Sequence, residues 1–316
     1  MASKNNQSLN LKFSTTNQHE PTRTKIGLRT TSSCRSCGSW LIPIVLVLLV
    51  SCNTMPKSLN INLETTDTLP FESGAFAYVF ADAKKARPII DILPFEELKN
   101  KEAKQMLDRT RFFVTALFPV MSGKYYQLAA QGSYPRSNAE LAMSLNKGWQ
   151  KKRSKSGGEY WCSNGFSVML TSSRAYVSMS QTNVPFDPFT PQPGIQVPEQ
   201  FSEFRKGAPL SCWIANPFIL LNKIFVGLPV QSVKGFYFKI LPAAGKKYEL
   251  NIRLQFENPS HARALGSILS LASAYSADSS LSLFLANPPV LNGNNLDIKS
   301  NPLDDKEIKA LMEILL

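Results

Sequence analysis

The chain has 316 residues, of which 43% are hydrophobic and 10% aromatic, so it has enough apolar surface for a substantial core and is not a disordered protein. Its formal net charge is +12, but residues 1–51 hold six basic residues and one acidic residue. The remainder therefore carries about +7, spread over more than 260 residues. That density argues against a protein that binds nucleic acid.

An apolar run at residues 41–50 is the most informative stretch of the sequence. Its ten residues are too few to cross a bilayer core, which needs about 20, but they suit the apolar region of a secretory signal. The run ends in Leu49-Val50-Ser51-Cys52, which resembles the lipobox of bacterial lipoproteins. A spirochaete or another diderm bacterium would carry such a protein.

The resemblance implies that residues 1–51 are a signal peptide and are removed, and that Cys52 becomes the lipidated first residue. Lipoprotein signals are usually shorter, so the true start is predicted to lie downstream, near Leu28. A diacylglyceryl group and an N-acyl chain such as palmitate would hold the protein in the inner or outer membrane. The expected location is the periplasm or the cell surface.

Composition divides the mature chain into four parts. Residues 52–70 are polar and lack periodicity, which predicts a flexible lipidated tether. Residues 71–183 and 207–316 have the patterns of folded structure. Residues 184–206 between them are rich in proline and predict a linker with a short helix.

The folded parts are predicted to contain alternating strands and helices. In chain order, the first has strands at 75–80, 112–118 and 125–130, helices at 83–93, 96–109 and 137–146, and two or three further strands within 160–162, 166–171 and 175–179. The second has strands at 210–215, 235–241, 248–256, 281–285 and 295–299, with helices at 217–226, from Pro259 to Ala272, and at 304–316.

Both parts follow the order β-α-ββ-α-ββ, which predicts an α+β fold of two tandem copies with antiparallel sheets covered by helices. The copies should pack about a pseudo-two-fold axis. Their identity is low, so a chance similarity of pattern stays open as the alternative to an internal duplication.

The cysteines offer one open question. Cys34 and Cys37 stand alone ahead of the apolar run, without the context of a redox or zinc site. Cys162 and Cys212 could form a disulfide in an oxidising periplasm. Both also lie in apolar, strand-like segments, where buried free thiols are common.

Residues that carry chemistry are few. His261 is the single histidine after the tether and lies at the start of a helix, so neither a metal site nor a catalytic triad is predicted. The basic loop at 151–158 is flanked by Trp149 and by Tyr160-Trp161, which together could contact a lipid headgroup or a glycan. The competing interpretation is a solvated loop beside core aromatics.

We therefore predict a non-enzymatic, lipid-anchored lipoprotein of the cell envelope with a binding or structural role, without catalytic residues, metal or cofactor. Its expected partners are the membrane and an envelope protein, and not nucleic acid. The alternative is a carrier that holds a lipid or another apolar ligand between its two repeats.

Overall fold

Strands that alternate apolar and polar side chains form one long antiparallel sheet in the computed structural model of the chain. The structure describes residues 62–65, 67–92, 101–119, 122–154, 158–181, 194–215, 217–218, 220–221, 230–275 and 287–315. All of them belong to a unit that spans residues 38–316.

The first part of the chain supplies β1 (Thr68–Leu69), β2 (Ala77–Asp82), β3 (Thr110–Leu117), β4 (Lys124–Gly132), β5 (Gln150–Arg153), β6 (Glu159–Ser163), β7 (Phe166–Leu170) and β8 (Arg174–Ser180). The second supplies β9 (Ile195–Gln196), β10 (Leu210–Ile214), β11 (Val233–Ala243), β12 (Lys247–Phe256), β13 (Val290–Asn292) and β14 (Asn295–Lys299). The spatial order of the large sheet is β13-β14-β12-β11-β10-β2-β3-β4-β8-β7-β6-β5, and β1 pairs separately with β9.

The described helices are α1 (Arg87–Ile92), α2 (Lys101–Arg109), α3 (Arg136–Leu145), α4 (Glu199–Phe204), α5 (Pro259–Tyr275) and α6 (Asp305–Leu315), with a 3-10 turn at Val230–Ser232. Prolines at the start of α1 and α5 are tolerated because the first turn has no internal partner for their missing N–H. Asp304 caps α6 through its carboxylate, which accepts hydrogen bonds from the N–H groups of Lys306 and Glu307.

The two faces of the sheet bury different clusters. On β2, Tyr78 and Phe80 point to the front face, whereas Ala77 and Ala81 point to the back face. The back face packs against apolar residues of α1, α5 and α6 at one end and of α3 at the other. The front face packs against α4 and against the chain segment that precedes β2.

Strands β2 and β10 join the two parts of the chain at the centre of the sheet. They pair antiparallel from Leu210 opposite Ala81 to Ile214 opposite Ala77. Outward from this seam, each side continues with a hairpin, β3-β4 or β11-β12, and then with the last strand of its half, β8 or β14. The two parts therefore meet edge to edge in one sheet, where the sequence predicted sheets of separate copies.

Hairpin turns follow the expected local chemistry. Asn164 and Gly165 both have positive φ, as a two-residue turn between β6 and β7 requires. Gly165 also lies against the carbonyl oxygen of Ser180, so a Cβ at this position would collide with backbone. Gly245 and Lys246 also have positive φ and lie in the longer turn between Ala243 of β11 and Lys247 of β12.

Most predicted elements are present, and the α+β class with an antiparallel sheet is confirmed in its coarse form. Several details differ from the prediction. The basic loop is partly strand β5, α3 begins one residue earlier than predicted, at Arg136, and the short strands β1, β9 and β13 were not predicted. The predicted strand at 281–285 lies outside the described residues.

Candidate functional site

Cys52, the predicted lipidation site, lies outside the described residues, and the described chain begins ten residues later at Asn62. From there, residues 62–65 and 67–72 form a segment that we call the strap. The strap lies against the front face of the sheet, where Leu63 and Leu69 are 0% exposed and Phe71 is 2% exposed. The prediction of a flexible tether over 52–70 was therefore wrong for its last part.

Apolar burial explains why the strap is docked. Its three buried side chains stand in an otherwise polar stretch, and five residues separate Leu63 from Leu69, so no continuous local pattern predicts their burial. Full burial of a leucine or phenylalanine side chain is worth about 1.5–3 kcal/mol. They contact the cluster that also contains Phe80, Val114 and Phe201, so the strap covers the middle of the sheet.

Two glutamines of β4 hold the backbone of the strap. The Leu63 N–H donates to Gln131 Oε1, and the Glu72 N–H donates to Gln127 Oε1, each at 3.1 Å. Both glutamines are two residues away from Ala129, which packs in the front-face cluster, so they point to the same face. The strap therefore runs along β4 from its C-terminal end towards its N-terminal end.

The second part of the chain also contacts the strap. Arg205, which follows α4, donates to the carbonyl oxygen of Glu64 at 2.8 Å and lies 4.8 Å from the centre of the Phe80 ring. Burial lowers the pKa of Arg205, and the nearby carboxylates of Asp67 and Glu64 oppose this shift. Strand β1 of the strap pairs with β9, so residues from both parts fix the strap.

Beside the start of the strap lies a cleft of about 600 Å³, between the end of β2, the start of β3 and helices α1 and α2. Its charged lining residues are Asp82, Lys84, Arg87, Asp108, Arg109 and Arg111. We call it the cationic cleft. The end of β4 packs closely against the end of α2 beside the cleft, and Gly132 permits this contact. A Cβ at position 132 would collide with the carbonyl oxygen of Arg109.

Ion pairs engage the carboxylates around this cleft. Arg87 bridges Asp91 and Asp108 at 3.0 and 2.7 Å. Lys85 pairs with Asp82 at 3.3 Å. Arg111 pairs with Glu64 of the strap at 3.3 Å, which ties the cleft to the first residues of the described chain.

The aromatic residues beside the basic stretch are part of the core. Trp149, Tyr160 and Trp161 are buried, so they do not offer exposed rings to a glycan or headgroup. In strand β5 above them, Lys151 pairs with Glu159 at 2.7 Å. The hydrogen bond from Lys151 lowers the pKa of the Glu159 carboxyl, with help from the charge of that lysine. The interpretation as a basic surface beside core aromatics fits this arrangement.

The structure does not bring Cys162 and Cys212 together. Cys162 on β6 and Cys212 on β10 are buried free thiols in different clusters, so the disulfide left open by the sequence is absent. Burial raises the pKa of the Cys212 thiol, which keeps it protonated and unreactive at neutral pH.

His261 is exposed in the first turn of α5, as expected for a surface residue. In the part of the chain that the structure describes, no three His, Cys, Asp or Glu side chains are grouped as metal ligands. None of the helices described has the length and apolar character needed to span a membrane.

Sequence reasoning missed the strap, the β4 glutamines that hold it and the cationic cleft. The one available signal was the presence of Leu63, Leu69 and Phe71 in a stretch otherwise suited to a polar tether. The glutamines carried no signal, because their role depends on a contact between residues 68 positions apart.

A family model described as the outer membrane-associated lipoprotein TP0453, from the spirochaete Treponema, matches residues 69–282. Three crystal structures of TP0453, in forms III, I and IV, are similar in fold, with TM-scores of 0.55, 0.56 and 0.54. Their sequences are 18%, 19% and 19% identical to this chain. The matched residues make up 80%, 79% and 78% of this chain, and 99%, 98% and 97% of the TP0453 chains. Comparison with curated sequences finds no significant match.

Proposed function

The chain belongs to the outer membrane-associated lipoprotein family TP0453, and on this premise we propose that it is a lipid-anchored envelope protein with a binding or structural role. The observation that carries the proposal is the family match over residues 69–282. The family assigns an extracytoplasmic, membrane-anchored location. The non-enzymatic role and the lipid on Cys52 are the parts that we propose.

The anchor is proposed to be the thioether-linked diacylglyceryl group of Cys52 together with an N-acyl chain. One acyl chain holds a protein to a membrane only marginally, whereas several hold it stably. The docked strap supports this assignment, because it brings the folded chain to within ten residues of Cys52.

A binding or structural role is supported by the way the polar side chains are used. Arg253 makes a bidentate pair with Asp297 at 2.6 and 2.8 Å, and Tyr237 donates to Gln255 at 2.5 Å. Groups engaged in such pairs hold neighbouring strands together and are not free to act as a general acid or base. The described polar networks therefore favour a structural role for these side chains.

We also propose that the sheet arose by duplication of a β-α-ββ-α-ββ unit. The support is the order of the first four strands outward from the β2–β10 seam, which is a first strand, a hairpin and the last strand of the half on both sides. Neighbouring strands lie about 4.8 Å apart, so the seam itself has no room for an apolar ligand. The carrier hypothesis, with a ligand between the repeats, thus gains no support from the way the two parts join.

Replacement of the lipidated residue tests the proposal. Cys52→Ser is expected to move the protein from the detergent-rich phase to the aqueous phase and to abolish incorporation of labelled palmitate, because serine lacks the thiol that accepts the lipid. Ser51→Ala is the matched control, since alanine also fits the lipobox and should preserve both properties. Retention of palmitate by the Cys52→Ser protein would contradict the anchor.

A further inference from the structure

The strap determines where the lipid tether leaves the folded protein. Leu63 is held at the C-terminal end of β4 by Gln131, and Glu64 is held by Arg111 and Arg205. Glu72 is held towards the other end of β4 by Gln127. The chain therefore emerges at the strand end that carries the cationic cleft, and not at the opposite end, where β2 begins.

The length of the tether restricts how far this strand end can be from the membrane. Nine residues separate Cys52 from Asn62. Ten residue steps span about 35 Å at full extension. Strand β11 has 11 residues and is about 36 Å long. The fully extended tether is therefore no longer than the distance from one strand end of the sheet to the other. A docked strap thus keeps the emergent end nearer to the bilayer.

Charge at the same end suits an anionic surface. Among the described residues, the carboxylates of Asp82 and Asp108 in the cleft and of Glu64 and Asp91 beside it are all paired with arginine or lysine. Within the described part of the chain, the side chains of Lys84, Lys104 and Arg109 have no carboxylate in ion-pair distance. Lys84 and Lys104 are exposed, and Arg109 lines the open cleft. This end of the sheet therefore presents cationic groups that no described carboxylate pairs with.

We propose that the cationic cleft faces the membrane and contacts anionic lipid headgroups, with Lys84, Lys104 and Arg109 as the contacting cations. This inference rests on the proposed lipid anchor at Cys52. The docked strap orients the domain, and attraction between basic side chains and the negative membrane surface holds that orientation. Phosphate groups of the lipids are the ligands.

Energy transfer from a single label to a headgroup acceptor tests the orientation. The lipidated protein carries Lys84→Cys at the cleft or Lys234→Cys at the start of β11, which lies towards the opposite strand end. Both lysines are exposed, and the buried thiols of Cys162 and Cys212 should not react with the label. We expect efficient transfer from position 84 and much weaker transfer from position 234. Equal transfer, or stronger transfer from position 234, would overturn the proposal.

Charge removal tests the contact without the anchor. The triple variant K84Q/K104Q/R109Q, made in Cys52→Ser protein, is compared with K147Q/K234Q/R263Q, which removes the same charge from exposed residues towards the opposite strand end. Cosedimentation uses phosphatidylcholine vesicles with and without phosphatidylglycerol. The cleft variant should lose about fivefold in binding per cation, only on vesicles with phosphatidylglycerol. An equal loss in both triple variants, no detectable binding of the parent, or binding independent of phosphatidylglycerol would overturn the contact.

Failure of this inference is distinguishable from failure of the proposed function. If Cys52 carries no lipid, the protein with native Cys52 will not float with the vesicles and will not incorporate palmitate. If the protein is lipidated and floats, but the label at position 234 is the nearer one, the anchor stands and the orientation is wrong.

Discussion

Single residues show how the fold uses buried polar groups. Tyr134, which follows β4, shares a hydrogen bond of 2.9 Å with the hydroxyl of Thr110 at the start of β3. This contact holds the strand end where the cationic cleft lies. Burial raises the pKa of Tyr134 to about 12, although the hydrogen bond to Thr110 opposes the shift.

The raised pKa of Tyr134 predicts a loss of stability at alkaline pH. The folded protein retains this proton more strongly than the unfolded chain, whose tyrosine pKa is about 10.0. The stabilisation is fully present below pH 10 and is lost as pH rises towards 12, by roughly 2–3 kcal/mol. Urea unfolding of wild type and Tyr134→Phe at a series of pH values measures the effect.

Comparison of these two proteins isolates one side chain. At pH 8 we expect Tyr134→Phe to be less stable by about 1 kcal/mol, because the hydrogen bond with Thr110 is lost. Above pH 10 the wild type should lose stability faster, so the difference should shrink or reverse. Parallel pH profiles of the two proteins would contradict a raised pKa at Tyr134.

At the scale of elements, the strap is the segment whose structure depends most on distant contacts. Leu63→Ala should cost about 2–5 kcal/mol of docking free energy, because Leu63 is 0% exposed. Amide exchange of Leu63 and Glu72 and proteolysis before β2 report undocking directly. Both should accelerate in the variant.

The matched control is Leu141→Ala on α3. It makes the same chemical change at a side chain that is 58% exposed, so it should alter stability by no more than about 0.5 kcal/mol. Equal exchange rates of the strap amides in the Leu63→Ala protein and the wild type would show that burial of Leu63 does not hold the strap.

At the scale of the whole molecule, the β2–β10 seam makes the two parts of the chain one sheet. The strap adds to this junction through Arg205 and through the β1–β9 pair. A protease site introduced near Gln192 should therefore be cleavable without separation of the parts. Size-exclusion chromatography after cleavage should show one species of unchanged size, and separation in native buffer would contradict the shared sheet.

Duplication is a distinct prediction for the same two parts. Strands β2, β3 and β4 should superpose on β10, β11 and β12, with α3 on α5. Such agreement is expected if both units descend from one β-α-ββ-α-ββ ancestor. If more than two strands fail to superpose, the duplication is contradicted. The similar strand order on the two sides would then be a property of the sheet and not evidence of common descent.

Local patterns in the sequence were sufficient for most strands and helices. The strand spacing of β11 and β12 and the helical spacing of α5 depend on neighbours within a few residues. Strand β5 was predicted to be a basic loop, and its residues, including Lys151 and Lys152, are all exposed. An edge strand needs no buried face, so its sequence does not have to alternate apolar and polar side chains. Similarly, β13 has three exposed residues and no apolar period.

The sequence by itself determined the location in the cell envelope and the order of most strands and helices. The location follows from an apolar run before a cysteine, and the elements follow from the periodicity of side chains; both are properties of residues close together in the chain. Only the tertiary structure decided that β2 and β10 join the two parts into one sheet, and that the strap emerges beside the cationic cleft. These arrangements depend on contacts such as Leu63 to Gln131 and Glu64 to Arg205, which are 68 and 141 positions apart. Packing free energy selects such contacts, and no local period records them.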